Sequence, residues 1–282
     1  MKKNRGSTVL LSALLLIGLA LLLYPKVSNW WNSFHQTQAI LSYTDAVANL
    51  SNEDYDSILA SARDYNARLG ASGSGTRLTE AQRADYAAQL DPQGTGVMCT
   101  IDIPSIGCRL PVYHGTEEAV LQVAVGHLEW TSLPVGGAGT HTVFSGHRGL
   151  PSARLFTDID RMVEGDLFRI SVLGETLTYE VDQILIVLPE EVQALYPVPG
   201  EDLCTLVTCT PYGVNTHRLL VRGHRVPNEI ADDPTRVTAD GVQVEPVIVA
   251  LAVGIPLLAI LLCVQLLGDR RRRNACWDED DD

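Results

Sequence analysis

The chain has 282 residues and a formal net charge of −13, with 34 acidic side chains against 21 basic ones. This acidic balance argues against nucleic acid as a partner, because proteins neutralise the phosphate backbone with Lys and Arg. None of the six cysteines forms a C-x-x-C pair. The sequence therefore predicts no zinc site, and it carries no signal for another metal or a cofactor.

An apolar run from Val9 to Leu23 follows basic residues near the N-terminus and precedes the pair Trp30–Trp31. The run is a little short for a membrane span, but Tyr24 and the flanks extend it, and the tryptophans are typical of the membrane interface. No small-residue cleavage site follows the run. We therefore predict an uncleaved N-terminal anchor over residues 1–25, with a cleaved signal peptide as the alternative.

A second apolar run begins at Pro246 and is followed at once by four arginines, Arg270–Arg273. It predicts a second span over residues 246–268, after a polar linker at 229–245 and before a tail at 269–282. Basic residues flank both spans on their terminal sides. By the positive-inside rule, both termini are predicted to be cytoplasmic and the region between the spans to lie outside the cell membrane.

Apolar residues recur at helical spacing from Asn32 to Leu69. Ser51 followed by Asp54 resembles a capping box, so one helix is predicted to end and a second to begin there. A third helix is predicted from Glu80 to Leu90, with Thr79 as its N-cap.

Short runs with a period of two dominate from residue 91 onward. A hairpin is predicted over Val97–Tyr113, with a tight turn that opposes Ile103 to Cys108, which argues against a disulfide between Cys99 and Cys108. The further predicted elements are a short helix at Glu117–Val125 and strands at Thr140–Ser145, Leu167–Val172 and Thr176–Val187. Many short strands with Gly and Pro turns predict an all-β, closed or partly closed barrel over residues 91–228.

The stretch after Asp202 alternates as a strand that ends near Cys209, and a turn rich in Pro, Gly and Asn leads to a second strand that Arg218 enters. A thiol and a guanidinium are thereby predicted to lie close together across a short loop. Arg is permanently charged and offers donors in a fixed fork. It could lower the pKa of a nearby thiol or stabilise an oxyanion.

His147 follows an apolar run and is flanked by Gly146 and Gly149, so it is predicted to lie where a strand ends and a loop begins. A Cys, a His and an Arg at strand ends form a candidate set for acyl transfer, with Cys209 as nucleophile and His147 as acid and base. The alternative is a hairpin with a half-buried Cys that packs as a small hydrophobe and a surface Arg. His127 and His217 are other candidates for the base, but alternation points His217 away from Arg218.

Three blocks of the chain resemble one protein family. T-L-V-T-C-T-P-Y-G-V-N-T-H-R-L-L-V-R-G closely resembles the signature of the class C, pilin-polymerising sortases of Gram-positive bacteria. S-G-H-R-G and G-H-L-E-W-T-S-L-P-V-G-G resemble two further blocks of that family, and the likeness covers roughly residues 60–225 in the same order. The resemblance implies Cys209 as nucleophile, His147 as acid and base, and Arg218 as oxyanion or substrate-positioning partner. It places His127 in a family block but away from the catalytic position.

The resemblance also implies a fold and a function. The expected fold is a closed sortase-type β-barrel with an N-terminal helical extension, flanked by two transmembrane helices. The expected activity is a cysteine transpeptidase that cleaves an LPXTG-like sorting signal through a thioacyl-enzyme and joins it to a pilin lysine amine. Its expected partners are LPXTG-type surface or pilin proteins.

Three other functions remain open from the sequence. The acceptor amine could belong to a cell-wall precursor, in which case surface proteins would be attached to peptidoglycan. Water could resolve the intermediate, which would make the protein a hydrolytic cysteine peptidase. A membrane-tethered assembly module without catalysis would tolerate the loss of Cys209.

The glycine-rich stretch at residues 70–75 interrupts the helical extension, which we assign to residues 26–90. We interpret residues from about 70 to about 78 as a lid-like loop, because many class C sortases carry an inhibitory lid in this region. That lid contains an Asp-Pro-aromatic motif. Here Asp91-Pro92 is followed by Gln93 and comes after the third helix, so the usual anchor of an inhibitory lid is absent from the sequence.

Overall fold

The structure is a computed structural model that describes residues 3–71 and 77–228, with side chains from residue 10 onward. The predicted linker, second span and tail lie outside these residues, as does most of the predicted lid-like loop. The described elements from Ser28 onward belong to one unit. Four α-helices and eight strands make up its regular structure, together with three short 3-10 turns.

The first helix, α1, runs without a break from Lys3 to Ala48 and contains Pro25. The sequence predicted an anchor and a separate helix beginning near Asn32, whereas the structure joins them. The helix has the length and composition to cross a membrane: its most apolar window has a mean hydropathy of 2.1 and is not buried. The N-terminal anchor is therefore a candidate membrane helix.

Two further helices cover the segment before the barrel: α2 spans Asn52–Ala71 and α3 spans Glu80–Ala87. The predicted caps are present. The Ser51 hydroxyl accepts the backbone N–H of Asp54 at 3.1 Å, and Thr79 forms a capping box with Gln82. The prediction that α3 reaches Leu90 is wrong, because Leu90 has a positive φ of 53° that ends the helical path.

The eight strands close into a barrel in the order β1-β2-β3-β4-β7-β8-β6-β5, which confirms the predicted barrel. The strands are β1 Val97–Ile103, β2 Cys108–His114, β3 Val125–His127, β4 Thr140–Ser145, β5 Leu167–Val172, β6 Glu175–Val187, β7 Asp202–Thr210 and β8 His217–Val226. The predicted helix at Glu117–Val125 is shorter, because α4 spans only Glu118–Leu121. Val125, the last residue of the predicted helix, instead begins β3, which pairs in parallel with β2.

The barrel interior is filled by large apolar side chains, with Phe144, Phe168 and Tyr179 fully buried. Burial of this apolar area is the main force that holds the barrel together. In the β1–β2 hairpin, Ile103 faces Cys108 as predicted. The cysteines within the described residues are free thiols, so the prediction against a disulfide between Cys99 and Cys108 is confirmed.

Tyr43 ties α1 to the barrel through its hydroxyl. The hydroxyl donates to the Met98 carbonyl at 3.0 Å and accepts the Leu173 backbone N–H at 2.9 Å. The side chain is 3% exposed, so water cannot replace either bond.

Replacing Tyr43 with Phe should therefore lower the free energy of unfolding of the barrel by about 1–3 kcal/mol, because two buried backbone groups lose their partner. Denaturant unfolding followed by near-UV circular dichroism would measure the loss. Tyr55→Phe is the matched control, since the Tyr55 hydroxyl bonds only the half-buried Glu175 carboxylate. An equal loss in the two variants would contradict this account of Tyr43.

His127 lies fully buried at the end of β3. Its Nε2 donates to the Ser132 carbonyl at 2.9 Å, and its Nδ1 accepts the Tyr86 hydroxyl at 3.0 Å. Burial lowers the pKa of His127 from 6.5 to about 3. His127 is thus neutral in the fold at neutral pH and joins α3 to the barrel wall through Tyr86.

This shift predicts acid-sensitive stability. The unfolded chain binds a proton at His127 below pH 6.5, whereas the folded chain does so only near pH 3. The stabilisation that neutral His127 gives to the fold is complete above pH 6.5 and is lost as the pH falls from there toward 3. Over this range the free energy of unfolding decreases by no more than about 1.4 kcal/mol per pH unit on account of His127. Unfolding free energies measured between about pH 7 and about pH 5 should show a shallower slope for His127→Asn than for the exposed control His35→Asn.

Candidate active site

The β7–β8 hairpin places Cys209 directly opposite Arg218 in the antiparallel register. Opposed residues of such a pair project to the same face with their Cβ atoms about 4.5–5.5 Å apart. Both side chains are half-buried. The guanidinium Nη1 donates to the carbonyls of Asn215 at 3.3 Å and His217 at 3.1 Å, which holds the head group over the turn.

His147 reaches the same edge through the neighbouring strand. Strand β4 pairs in parallel with β7, and the last paired residues are Ser145 and Val207. The pairing continues beyond the strand, because Gly146 N donates to the Val207 carbonyl at 3.1 Å and Thr208 Oγ1 donates to the Gly146 carbonyl at 2.7 Å. Continued by two residues, this register brings His147 level with Cys209 at the ends of the two strands. The structure thus brings Cys209, His147 and Arg218 to one end of the β4–β7–β8 sheet.

His217, the other candidate base, is paired with Thr210 and lies one residue before Arg218 in β8. Successive residues of a strand project to opposite faces, so its side chain points away from the face that carries Cys209 and Arg218. Its Nδ1 lies 2.9 Å from Thr216 Oγ1, next to it in the chain.

Two loops flank the site and contact each other through Arg148. The Arg148 side chain is only 11% exposed and forms an ion pair with Asp160. Its Nη1 lies 3.4 Å from Thr210 Oγ1, and its guanidinium lies 5.8 Å from the centre of the Tyr212 ring. The loop after His147 is thereby attached to the loop after Cys209. Sequence reasoning missed this contact, although Arg148 directly follows His147 in S-G-H-R-G.

Glu118 is a second neighbour that the sequence did not predict. Its Oε2 lies 3.9 Å from His147 Nε2. Glu118 begins the short helix α4, 29 positions before His147 in the sequence. No local pattern links the two segments, so only the closed barrel reveals that a carboxylate faces this imidazole.

A groove of about 230 Å³ lies on the outer face of the sheet, and Arg218 is one of the residues that line it. The segment between β6 and β7 covers it, with Leu195 packed on Val143 and Leu220. Most of the lining side chains are apolar: Leu128, Trp130, Val143, Val187, Leu188, Val192, Leu195, Val207 and Leu220. The arrangement can hold an extended apolar segment beside a thiol, an imidazole and a guanidinium.

Gly149 allows the two flanking loops to approach. Its φ is +78°, and a Cβ at this position would lie 2.8 Å from the Tyr212 ring. Gly139 has a similar φ of +80°, but a Cβ there would meet no atom within 4 Å. Both glycines therefore adopt a left-handed backbone, but only at Gly149 would a Cβ collide with a neighbouring side chain.

Gly149→Ala and Gly139→Ala should each cost about 1–2 kcal/mol of unfolding free energy through the left-handed backbone. Only Gly149→Ala should also displace Tyr212, which lies three residues after Cys209, and thereby change the rate of Cys209 alkylation by iodoacetamide, followed residue by residue with mass spectrometry. The same alkylation rate in both variants would show that the contact with Tyr212 does not shield Cys209.

Comparison with known proteins agrees with this geometry. Residues 101–226 match the sortase domain family model. The chain is 53% identical to the crystal structure of sortase C1 from Streptococcus agalactiae, with a TM-score of 0.66, and the match covers 68% of this chain and 99% of that one. It is 40% identical to sortase C of Clostridium perfringens, solved with the C-terminal cell wall sorting motif, with a TM-score of 0.60 over 68% of this chain and 99% of that one.

Among curated proteins, the chain is 28% identical over 127 residues to sortase A of Streptococcus agalactiae serotype III, strain NEM316. That match covers 44% of this chain and spans about half of the length of the relative, 51%. The sortases C match over almost their whole solved length, and identity at that level does not arise from a shared fold alone. The chain belongs to the sortase family, and its structural relatives include class C sortases.

Proposed function

We propose that this protein is a membrane-anchored class C sortase, a cysteine transpeptidase that joins LPXTG-type pilin proteins through a lysine amine. The observation that carries the proposal is the meeting of Cys209, His147 and Arg218 at one end of the β4–β7–β8 sheet, since that set can perform acyl transfer. Family membership and the class C sortases among the structural relatives support the same reaction.

In the first half-reaction, Cys209 Sγ attacks the carbonyl carbon of Thr in the sorting signal, with the thiol proton on His147. The carbonyl oxygen gains negative charge, which the Arg218 guanidinium stabilises. The C–N bond then breaks, His147 gives its proton to the leaving amine, and a thioester on Cys209 remains. Arg218 suits this role because its contacts within the described residues are carbonyl oxygens and not a carboxylate.

In the second half-reaction, a lysine amine attacks the thioester carbonyl. The C–N bond forms, the C–S bond breaks, and His147 takes a proton from the nitrogen while Cys209 leaves as thiolate. The product is an isopeptide bond, and the enzyme returns to its starting form. Water competes for the same thioester, so a transpeptidase must favour the amine.

The groove supports a peptide substrate. An extended chain with Leu and Pro side chains suits a channel lined by apolar groups, and one of its lining residues is Arg218, which is paired with Cys209 across the β7–β8 hairpin. The Thr carbonyl of a peptide seated there would lie at the thiol. We further propose that α1 anchors the domain on the outer face of the cell membrane, with both termini in the cytoplasm.

Mass spectrometry of the full chain in detergent, mixed with an LPXTG-type peptide, tests the proposal. An acyl adduct should form on Cys209 and pass to an added amine, and Cys209→Ala should abolish it. Cys204→Ala is the matched control, because Cys204 lies in the same strand but is fully buried in the barrel. Replacement of Arg218 by Gln should slow adduct formation about 10²–10³-fold, as for other lost oxyanion donors.

Other outcomes identify other functions. Peptide cleavage that an added amine neither speeds nor traps would indicate a hydrolytic peptidase. Transfer to a cell-wall precursor amine but not to a pilin lysine would indicate attachment of surface proteins to peptidoglycan. Wild-type function in Cys209→Ala would indicate an assembly module without catalysis.

A further inference from the structure

Glu118 presents a carboxylate to His147 from outside the predicted catalytic set. Its Oε2 lies 3.9 Å from His147 Nε2, and its side chain is 73% exposed, whereas that of His147 is 28% exposed. Gln122, one helical turn later, donates its Nε2 to the other oxygen, Oε1. The carboxylate is thus held by one oxygen while the second faces both the imidazole and solvent.

The second half-reaction sets a problem that this carboxylate can solve. A lysine side chain in water carries an ammonium group, because its ordinary pKa is about 10.4. Attack on the thioester requires the neutral amine at His147. A negative charge beside that imidazole attracts the ammonium ion and raises its local concentration next to His147, where one proton must pass to solvent before the nitrogen attacks.

We infer that Glu118 is a specificity-determining residue that binds the ammonium group of the acceptor lysine, and so directs the thioester toward cationic amines. The inference rests on the proposed function. One ammonium proton passes to solvent across Glu118, and a second passes to His147 Nε2 as the C–N bond forms and the C–S bond breaks. The nitrogen keeps one hydrogen in the isopeptide bond, and Cys209 leaves as thiolate.

The neighbouring residue provides a matched control. Glu117 is also exposed and carries the same charge one position earlier, but its carboxylate lies against Gly115, where an added Cβ would stand 2.2 Å from its Oε2. The charge of Arg148, next to His147 in the chain, is paired with that of Asp160. An effect of Glu118 alone would therefore come from its position beside His147 and not from the net charge of the surface.

Competition between two nucleophiles for one acyl-enzyme tests the inference. The full chain in detergent is given an LPXTG-type peptide together with Nα-acetyl-lysine amide, which is cationic, and hydroxylamine, which is uncharged at neutral pH. The measured quantity is the ratio of lysine product to hydroxamate, from which the rate of the first half-reaction cancels. Glu118→Gln should lower this ratio about twofold to fivefold at low salt, the range expected for an exposed ion pair.

Added salt should lower the ratio of the wild-type protein toward that of Glu118→Gln, because screening weakens an exposed charge interaction. Glu117→Gln should retain the wild-type ratio. An unchanged ratio in Glu118→Gln would overturn the inference. An equal fall of both products would also overturn it, since Glu118 would then act through His147 itself.

A lower ratio in Glu117→Gln as well would assign the effect to general surface charge and overturn the inference. Failure of the proposed function is detected in a separate measurement, the formation of the Cys209 adduct with the peptide before any amine is added. If the wild-type chain forms no Cys209 adduct with the peptide, both the function and the inference fail.

Discussion

The parallel pairing of β4 with β7 is the constraint on which the site depends. Six residues of β4 pair in order with residues of β7 that lie 62 positions later in the chain. In a parallel pair both strands leave the sheet at the same end. The loops that carry His147 and Cys209 must therefore emerge side by side. The antiparallel partner β8 then returns along β7 and sets Arg218 opposite Cys209.

Buried polar groups hold the surroundings of this sheet in place. The side-chain amide of Asn66 in α2 accepts the Leu133 backbone N–H at 2.7 Å and donates to the Leu133 carbonyl at 3.1 Å. Tyr86 of α3 bonds His127 and accepts the backbone N–H of Gly115. Each of these groups is satisfied inside the fold, where an unmade bond would be costly. The helical extension is thus attached to the barrel by specific bonds as well as by apolar packing.

The charges near the site fall into two groups. Arg148 is nearly buried and is neutralised by Asp160, so it serves to join the two loops. Arg218 and Glu118 are not neutralised by each other and lie at the surface of the site, next to Cys209 and His147 respectively. Opposite charges at two sides of a reacting thioester suit a reaction that develops negative charge on oxygen and consumes a positively charged amine. The contacts of Arg148 with Thr210 and Tyr212 join the two loops on which this arrangement depends.

Local sequence patterns specify most of the helices and strands of this protein, whereas long-range pairing specifies how they meet. Strands β4 and β5 follow the predicted bounds, and Thr79 caps α3, because alternation and capping act within a few residues. Cys209 and Arg218 could be paired in advance, since a nine-residue separation with a turn makes a hairpin. The apolar groove and the Glu118–His147 contact could not be predicted, because they depend on pairing between segments far apart in the chain. Local patterns do not encode the order of the strands in the sheet, because that order is set by long-range pairing when the barrel closes.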